Sequence, residues 1–140
     1  MTTAREVMHH GCECLGMNEN LTAAARRMAE LDVGAMPVCG EDGRLKGIIT
    51  DRDIVVKAVA QGRNPSDVRA GDLIHGEVWS VDANSDIEDV LHQMVEHHIR
   101  RLPVMEREEL VGIISQADLA RKLPQDKVGE LVEAISSTSH

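Results

Sequence analysis

The chain contains no phenylalanine and no tyrosine, and Trp79 is its one tryptophan. A core at crystal-like packing density must therefore come from Leu, Ile, Val, Met and Ala, and any ligand base would lie between aliphatic walls. Basic residues are scarce as well: 15 Lys and Arg against 24 Asp and Glu leave a formal net charge of −9. Such a surface repels a phosphate backbone, which excludes nucleic acid as a partner class. No apolar run approaches the roughly 18 residues that suggest a membrane span, and MTTAREVMHHGC has no stretch of the kind a signal peptide needs. The expectation is a soluble, cytoplasmic protein with no membrane partner. Three cysteines, Cys12, Cys14 and Cys39, are too few for a secreted disulfide scaffold. There is no Walker-type phosphate loop, and no nucleophile, base and orienting group can be assembled, so the chain is expected not to be an enzyme and to require no cofactor.

What the chain does have is a repeat. A shift of 66 lays LTAAARRMAELDVGAMPV (21–38) on IEDVLHQMVEHHIRRLPV (87–104), and a shift of 65 lays LKGIIT (45–50) on LVGIIS (110–115). The leaders match too, AREVM (4–8) on AGDLI (70–74). The 140 residues thus divide into one repeat over 1–64, a second over 65–125, and a C-terminal helix and tail over 126–140. Leu21, Ala24, Ala25, Met28 and Leu31 recur at helical spacing, as do Ile87, Val90, Leu91 and Met94, predicting an amphipathic helix in each copy. Asn20 should cap the first, and Ser85 with Glu88 should form a capping box on the second. A strand ending in Pro-Val, a turn, a second strand and a second helix complete each unit. The order is strand, helix, strand, strand, helix, twice over, an α/β (α+β) class of fold.

The phrases GIITDRDIV (47–55) and GIISQADLA (112–120) place Thr50-x-x-Asp53 and Ser115-x-x-Asp118 where a strand passes into a helix. A capping box would explain the spacing without any ligand. The same groups suit a nucleotide. A helix N-terminus with a hydroxyl attracts phosphate, and a carboxylate one turn on accepts from a ribose diol. Gly47 and Gly112, with no Cβ, would let the backbone approach a ligand closely.

These phrases, with LDVGAMPVCGEDGRLKG and HHIRRLPVMEREELVG before them, identify each copy as resembling a CBS domain and the pair as resembling a Bateman module. The further segments TTAR, NLTAAA, TDRDIVVK, VDAN and RRLPV resemble a hypoxia-linked group of small stand-alone CBS pairs. The resemblance implies two repeats packed about a pseudo-twofold axis, leaving inter-repeat clefts that hold an adenine nucleotide of the AMP, ADP or ATP class. It implies a non-enzymatic regulatory module acting in a stress or hypoxia response, a homodimer, and an unidentified protein partner. Carried over by motif, Thr50 and Asp53 serve one cleft and Ser115 and Asp118 the other. Val33, Met36 and Pro37, and Ile99, Leu102 and Pro103, would wall the base, with core packing as the simpler account of several of them.

An anionic ligand on an acidic chain needs local positive charge. The first copy supplies Arg52 where the second has Ala117; the second supplies Arg100 and Arg101 where the first has Gly34 and Ala35. The two clefts are therefore expected to bind unequally, with the arginines converging on phosphates if one copy's strand start lies near the other's helix start. An alternative function rests on the N-terminal donors: a redox- or metal-responsive stress protein with the CBS fold as scaffold. In it, Cys14 and Cys39 would approach disulfide distance if the first two strands of the repeat are neighbours. HHGCEC (9–14) groups His9, His10, Cys12 and Cys14 as soft metal donors, though without a standard zinc spacing, so no metal site is assigned.

Overall fold

The computed structural model describes residues 2–11, 13–74 and 78–136, with Leu131, Ile135 and Ser136 described by backbone only. Cys12, named above as a metal donor, and the end of the tail at 137–140 lie outside the described residues. In chain order the elements are α1 (Ala4–Val7), β1 (His9–His10), β2 (Leu15–Gly16), α2 (Leu21–Leu31), β3 (Ala35–Cys39), β4 (Leu45–Thr50) and α3 (Asp51–Lys57). After short 3-10 turns come β5 (Val81–Asp82), α4 (Ile87–His97), β6 (Arg101–Glu106), β7 (Glu109–Ser115), α5 (Gln116–Ala120) and α6 (Gln125–Ser136). Strand, helix, strand, strand, helix occurs twice, as the repeat predicts.

The chain forms two compact units, and their boundary does not follow the repeat. A middle unit spans residues 13–78; an outer unit combines residues 1–12 with 79–140. The middle unit holds the sheet β2-β3-β4, with β2 parallel and β4 antiparallel to β3. The outer unit holds β1-β7-β6-β5, with β5 parallel and β7 antiparallel to β6, and β1 added antiparallel at the β7 edge. Each has its own aliphatic core: Leu15, Leu21, Met36, Val38 and Ile49 in the middle unit, and Val90, Met94, Leu102, Ile114 and Leu119 in the outer one.

Hydrogen bonds explain why the units cut across the repeat. The Ala4 and Arg5 N–H groups donate to the Ser85 and Ala83 carbonyls at 2.8 and 2.9 Å, and Ile87 N–H donates to Thr2 O at 3.0 Å. In the middle unit, Ala70 and Gly71 N–H donate to Glu19 and Met17 O at 2.7 and 2.9 Å, and Leu21 N–H donates to Val68 O at 2.9 Å. Every one of these bonds is reproduced by the 66-residue shift. The leader of each repeat therefore closes the body of the other. Two of these bonds satisfy the Leu21 and Ile87 N–H groups at the start of the amphipathic helices, where intrahelical partners are lacking.

The glycines of the repeated phrase serve the same docking. A Cβ at Gly112 would stand 2.5 Å from His9 O and 2.6 Å from Met8 Sδ; one at Gly47 would stand 2.8 Å from Ile74 Cγ2. The space beside each glycine is filled by a leader, so the expectation of close approach to a ligand at Gly47 and Gly112 is corrected.

Two cap readings compare directly. Asn20 Oδ1 accepts from Ala23 N–H at 2.8 Å, as expected. On α4 the cap is Asp86, one residue later than the Ser85 box, its Oδ1 accepting from Glu88 N–H at 3.0 Å. Ser85 instead gives its carbonyl to Ala4 and its N–H to Asp82 O, which holds it in the preceding turn.

One leader contact is ionic. Arg5 Nη2 lies 2.7 Å from Glu106 Oε1 in β6, and the hydrogen bond and charge of Arg5 hold the Glu106 carboxyl below its ordinary pKa. A carboxyl whose folded pKa is depressed contributes stability that is fully present above its unfolded pKa and is lost as pH falls through the folded value. Glu106→Gln should therefore melt below wild type at neutral pH, and the gap should close on acidification through the carboxylate range. A gap in melting temperature independent of pH would refute this.

Candidate functional site

The two Ser/Thr-x-x-Asp motifs are complete capping boxes. Thr50 Oγ1 accepts from Asp53 N–H at 3.1 Å while Asp53 Oδ2 accepts from Thr50 N–H at 2.9 Å. Ser115 Oγ accepts from Asp118 N–H at 3.2 Å and Asp118 Oδ2 from Ser115 N–H at 2.8 Å. Each box consumes one carboxylate oxygen and an acceptor position of the hydroxyl. The hydroxyl proton and the second carboxylate oxygen, Oδ1, are left over.

Among the described residues, what meets that second oxygen differs between the copies. Asp53 Oδ1 has Lys57 Nζ at 3.4 Å, and the Asp53 side chain is 26% exposed. Asp118 Oδ1 has His9 Nε2 at 3.0 Å and Arg121 Nη1 at 3.3 Å. Asp118 is 2% exposed, the one buried charged residue among those described. Spacing within the repeat could not reveal this contact, because His9 arrives on β1, where it sits opposite Ile113 of β7.

Strand start and helix start lie side by side within each unit. Gly34 O accepts from Asp51 N–H at 2.9 Å, and Arg100 O accepts from Gln116 N–H at 2.8 Å. The β3–β4 register sets Ala35 opposite Thr50, and the β6–β7 register sets Arg101 opposite Ser115. Arg100 is exposed and Arg101 half-buried, so both flank the helix start of their own copy. Arg52 is exposed in the first turn of α3. The outer unit thus brings together Arg100, Arg101, Ser115 and Asp118; the middle unit brings together Thr50, Arg52 and Asp53.

The six wall residues divide by burial. Met36 and Leu102 are enclosed in the two cores, and Pro37 and Pro103 are buried in central strands. Val33 is 43% exposed and Ile99 half-buried, so these two retain surface.

The N-terminal donors do not assemble into a centre. No three His, Cys, Asp or Glu side chains converge to hold a metal ion among the described residues. His9 and His10 are exposed on β1. Arg27 donates to the Cys14 carbonyl at 3.0 Å. The parallel β2–β3 register places Gly16, rather than Cys14, opposite Cys39, and no disulfide joins the two cysteines. No helix of the described residues is long and apolar enough to cross a membrane.

Comparison with known proteins agrees with this architecture. The CBS domain family matches residues 4–59 and 70–125, so each matched segment includes its leader. Hypoxic response protein 1 of Mycobacterium tuberculosis is 49% identical over 137 residues, covering 98% of this chain and 96% of that protein. A CBS domain-containing protein of Bacillus subtilis, YhcV, is 34% identical over 137 residues, covering 97% of this chain and 96% of its own. A crystal structure of hypoxic response protein I with two coordinated zinc ions superposes with a TM-score of 0.80 at 50% identity, covering 88% of this chain and all of that one. The chain is a tandem repeat of the CBS domain and belongs to the CBS-domain family of regulatory modules, related over nearly its whole length to hypoxic response protein 1.

Proposed function

We propose that this CBS pair is a non-enzymatic module that binds an adenine nucleotide at the Thr50–Asp53 edge and signals by a change in its partner surface. The observation that carries the reading is Asp53 Oδ1, a carboxylate oxygen outside the capping box and met only by the flexible Lys57 among the described residues. It can accept from a ribose diol, while the Thr50 hydroxyl keeps its proton for a phosphate oxygen. Arg52, with no side-chain partner among the described residues, supplies charge-assisted donors. Val33 offers apolar surface to the base. Ser115, Asp118, Arg100 and Arg101 form the corresponding set of the second copy. Signalling requires a protein partner whose affinity differs between bound and free states.

A homodimer is part of the proposal. Val55 and Val56 on α3 and Val59 in the 3-10 turn after it are exposed, as an isologous contact would use. The zinc ions of the crystallised relative raise metal binding as a competing reading. A structural zinc site takes four ligands, whereas the described residues offer a pair, His9 and Asp118, so no zinc site is assigned.

Calorimetric titration of reduced, metal-free protein with AMP, ADP and ATP tests the nucleotide reading. Saturable binding of at least one nucleotide is expected, weakened about tenfold or more, or about 1.4 kcal/mol, by Asp53→Asn. That substitution retains an acceptor for Thr50 N–H. No heat and no thermal shift with any of the three would end the proposal.

A further inference from the structure

We infer that the N-terminal leader latches the second copy: His9 holds the Asp118 oxygen that the capping box leaves over, closing to a nucleotide the edge that, among the described residues, stays open at Asp53. The inference rests on the nucleotide reading above and names a regulation of the same class of site.

The two copies carry the same cap and, among the described residues, differ in what covers the spare oxygen. Asp118 Oδ1 is met at 3.0 Å by His9 and at 3.3 Å by Arg121, and its side chain is 2% exposed. Asp53 Oδ1 is met at 3.4 Å by Lys57 alone among the described residues, with 26% of the side chain exposed. The Asp118 edge is otherwise well equipped, with Arg101 opposite Ser115, Arg100 beside Gln116 and Ile99 partly accessible. It lacks an available acceptor for a ribose. The covering groups differ in how they are held. Arg121 reaches from the end of α5, its side chain 69% exposed. His9 is fixed by β1, whose backbone pairs with β7 two residues before Ser115. Its own ring is 71% exposed, so it lies over the carboxylate from the solvent side. Whatever displaces the leader would uncover a second nucleotide edge. His75, at the matching leader position, lies outside the described residues.

Calorimetry with AMP, ADP and ATP on the full chain tests the latch through stoichiometry. Wild type should bind one nucleotide per chain and His9→Ala two. His9→Lys, which places a donor over Asp118 again, should return to one, as should His9→Ala combined with Asp118→Ala. A single site retained in His9→Ala, two sites already present in wild type, or weaker binding in His9→Ala would each overturn the latch; the last would make the ring a ligand instead of a plug. No binding by any variant would overturn the nucleotide reading, and the latch with it. A single site in His9→Ala that Asp53→Asn abolishes overturns the latch and leaves that reading standing.

Discussion

Gly112→Val will cost the outer unit about 3 kcal/mol, at the upper end of typical overpacking effects. Its Cβ would stand 2.5 Å from the His9 carbonyl oxygen and 2.6 Å from Met8 Sδ, and the first of these is backbone. A flexible side chain could turn aside; a strand paired to β7 at His9 and His10 cannot without unpairing. Unpairing lifts β1 away and exposes Met8, which is buried and contributes roughly 2 kcal/mol by its burial. Gly129→Ala is the control, since a Cβ there meets nothing within 4 Å. Chemical denaturation of the three proteins at equal concentration decides the matter. A Gly112→Val midpoint shift worth less than about 0.5 kcal/mol, the range of neutral surface changes, would show that the leader does not need this glycine.

A fragment of residues 13–78 will fold cooperatively, and one of residues 1–64 will not. The second is the repeat as the sequence draws it, yet it lacks Val68, Ala70 and Leu73, all buried in the core of the middle unit. Burying a valine or leucine side chain is worth about 1.5–3 kcal/mol, and domains of this size are marginal. Fragment 1–64 also strands the Leu21 N–H, whose acceptor is Val68 O. It gains in exchange a leader whose partners, Ala83 and Ser85, are missing. Far-UV circular dichroism on heating should give a sigmoidal transition for 13–78 and a featureless drift for 1–64. Equal cooperativity in both would mean that the repeat, and not the compact unit, is the folding unit.

The legible parts of the chain were those coded by local period. Ile87, Val90, Leu91 and Met94 form the buried stripe of α4 as their spacing predicts, as do Leu21, Ala24 and Met28 in α2, whereas Ala25 and Leu31 of the predicted α2 stripe are exposed. The strand order and the family resemblance followed from two copies read in register, and both stand. The docking of the leaders was not legible, because a two-residue strand such as β1 has no period to read and its partners lie about a hundred residues away. The alignment of Met8 with Ile74 held the signal, since both fill the space beside a glycine of the repeated phrase. The contact of His9 with Asp118 is equally remote in sequence, so the imidazole could be read only as a metal donor. Ser85 and Asp86 are both good cap residues, and the choice between them is made by the leader bond to Ser85 O, which no local rule includes.

The reciprocal leaders also bear on the order in which the protein is made. The middle unit can close as soon as residue 74 has left the ribosome, because all of its closing partners lie on the same stretch. Residues 4–10 emerge before the middle unit and settle after it: β1 cannot pair until Gly112 and Ile113 have been synthesised. At about 5–20 residues per second, that delay is on the order of 5–20 s. For that interval the β1 segment of a nascent chain is an unpaired strand, open to chaperones and to modifying enzymes in a way that the finished protein is not.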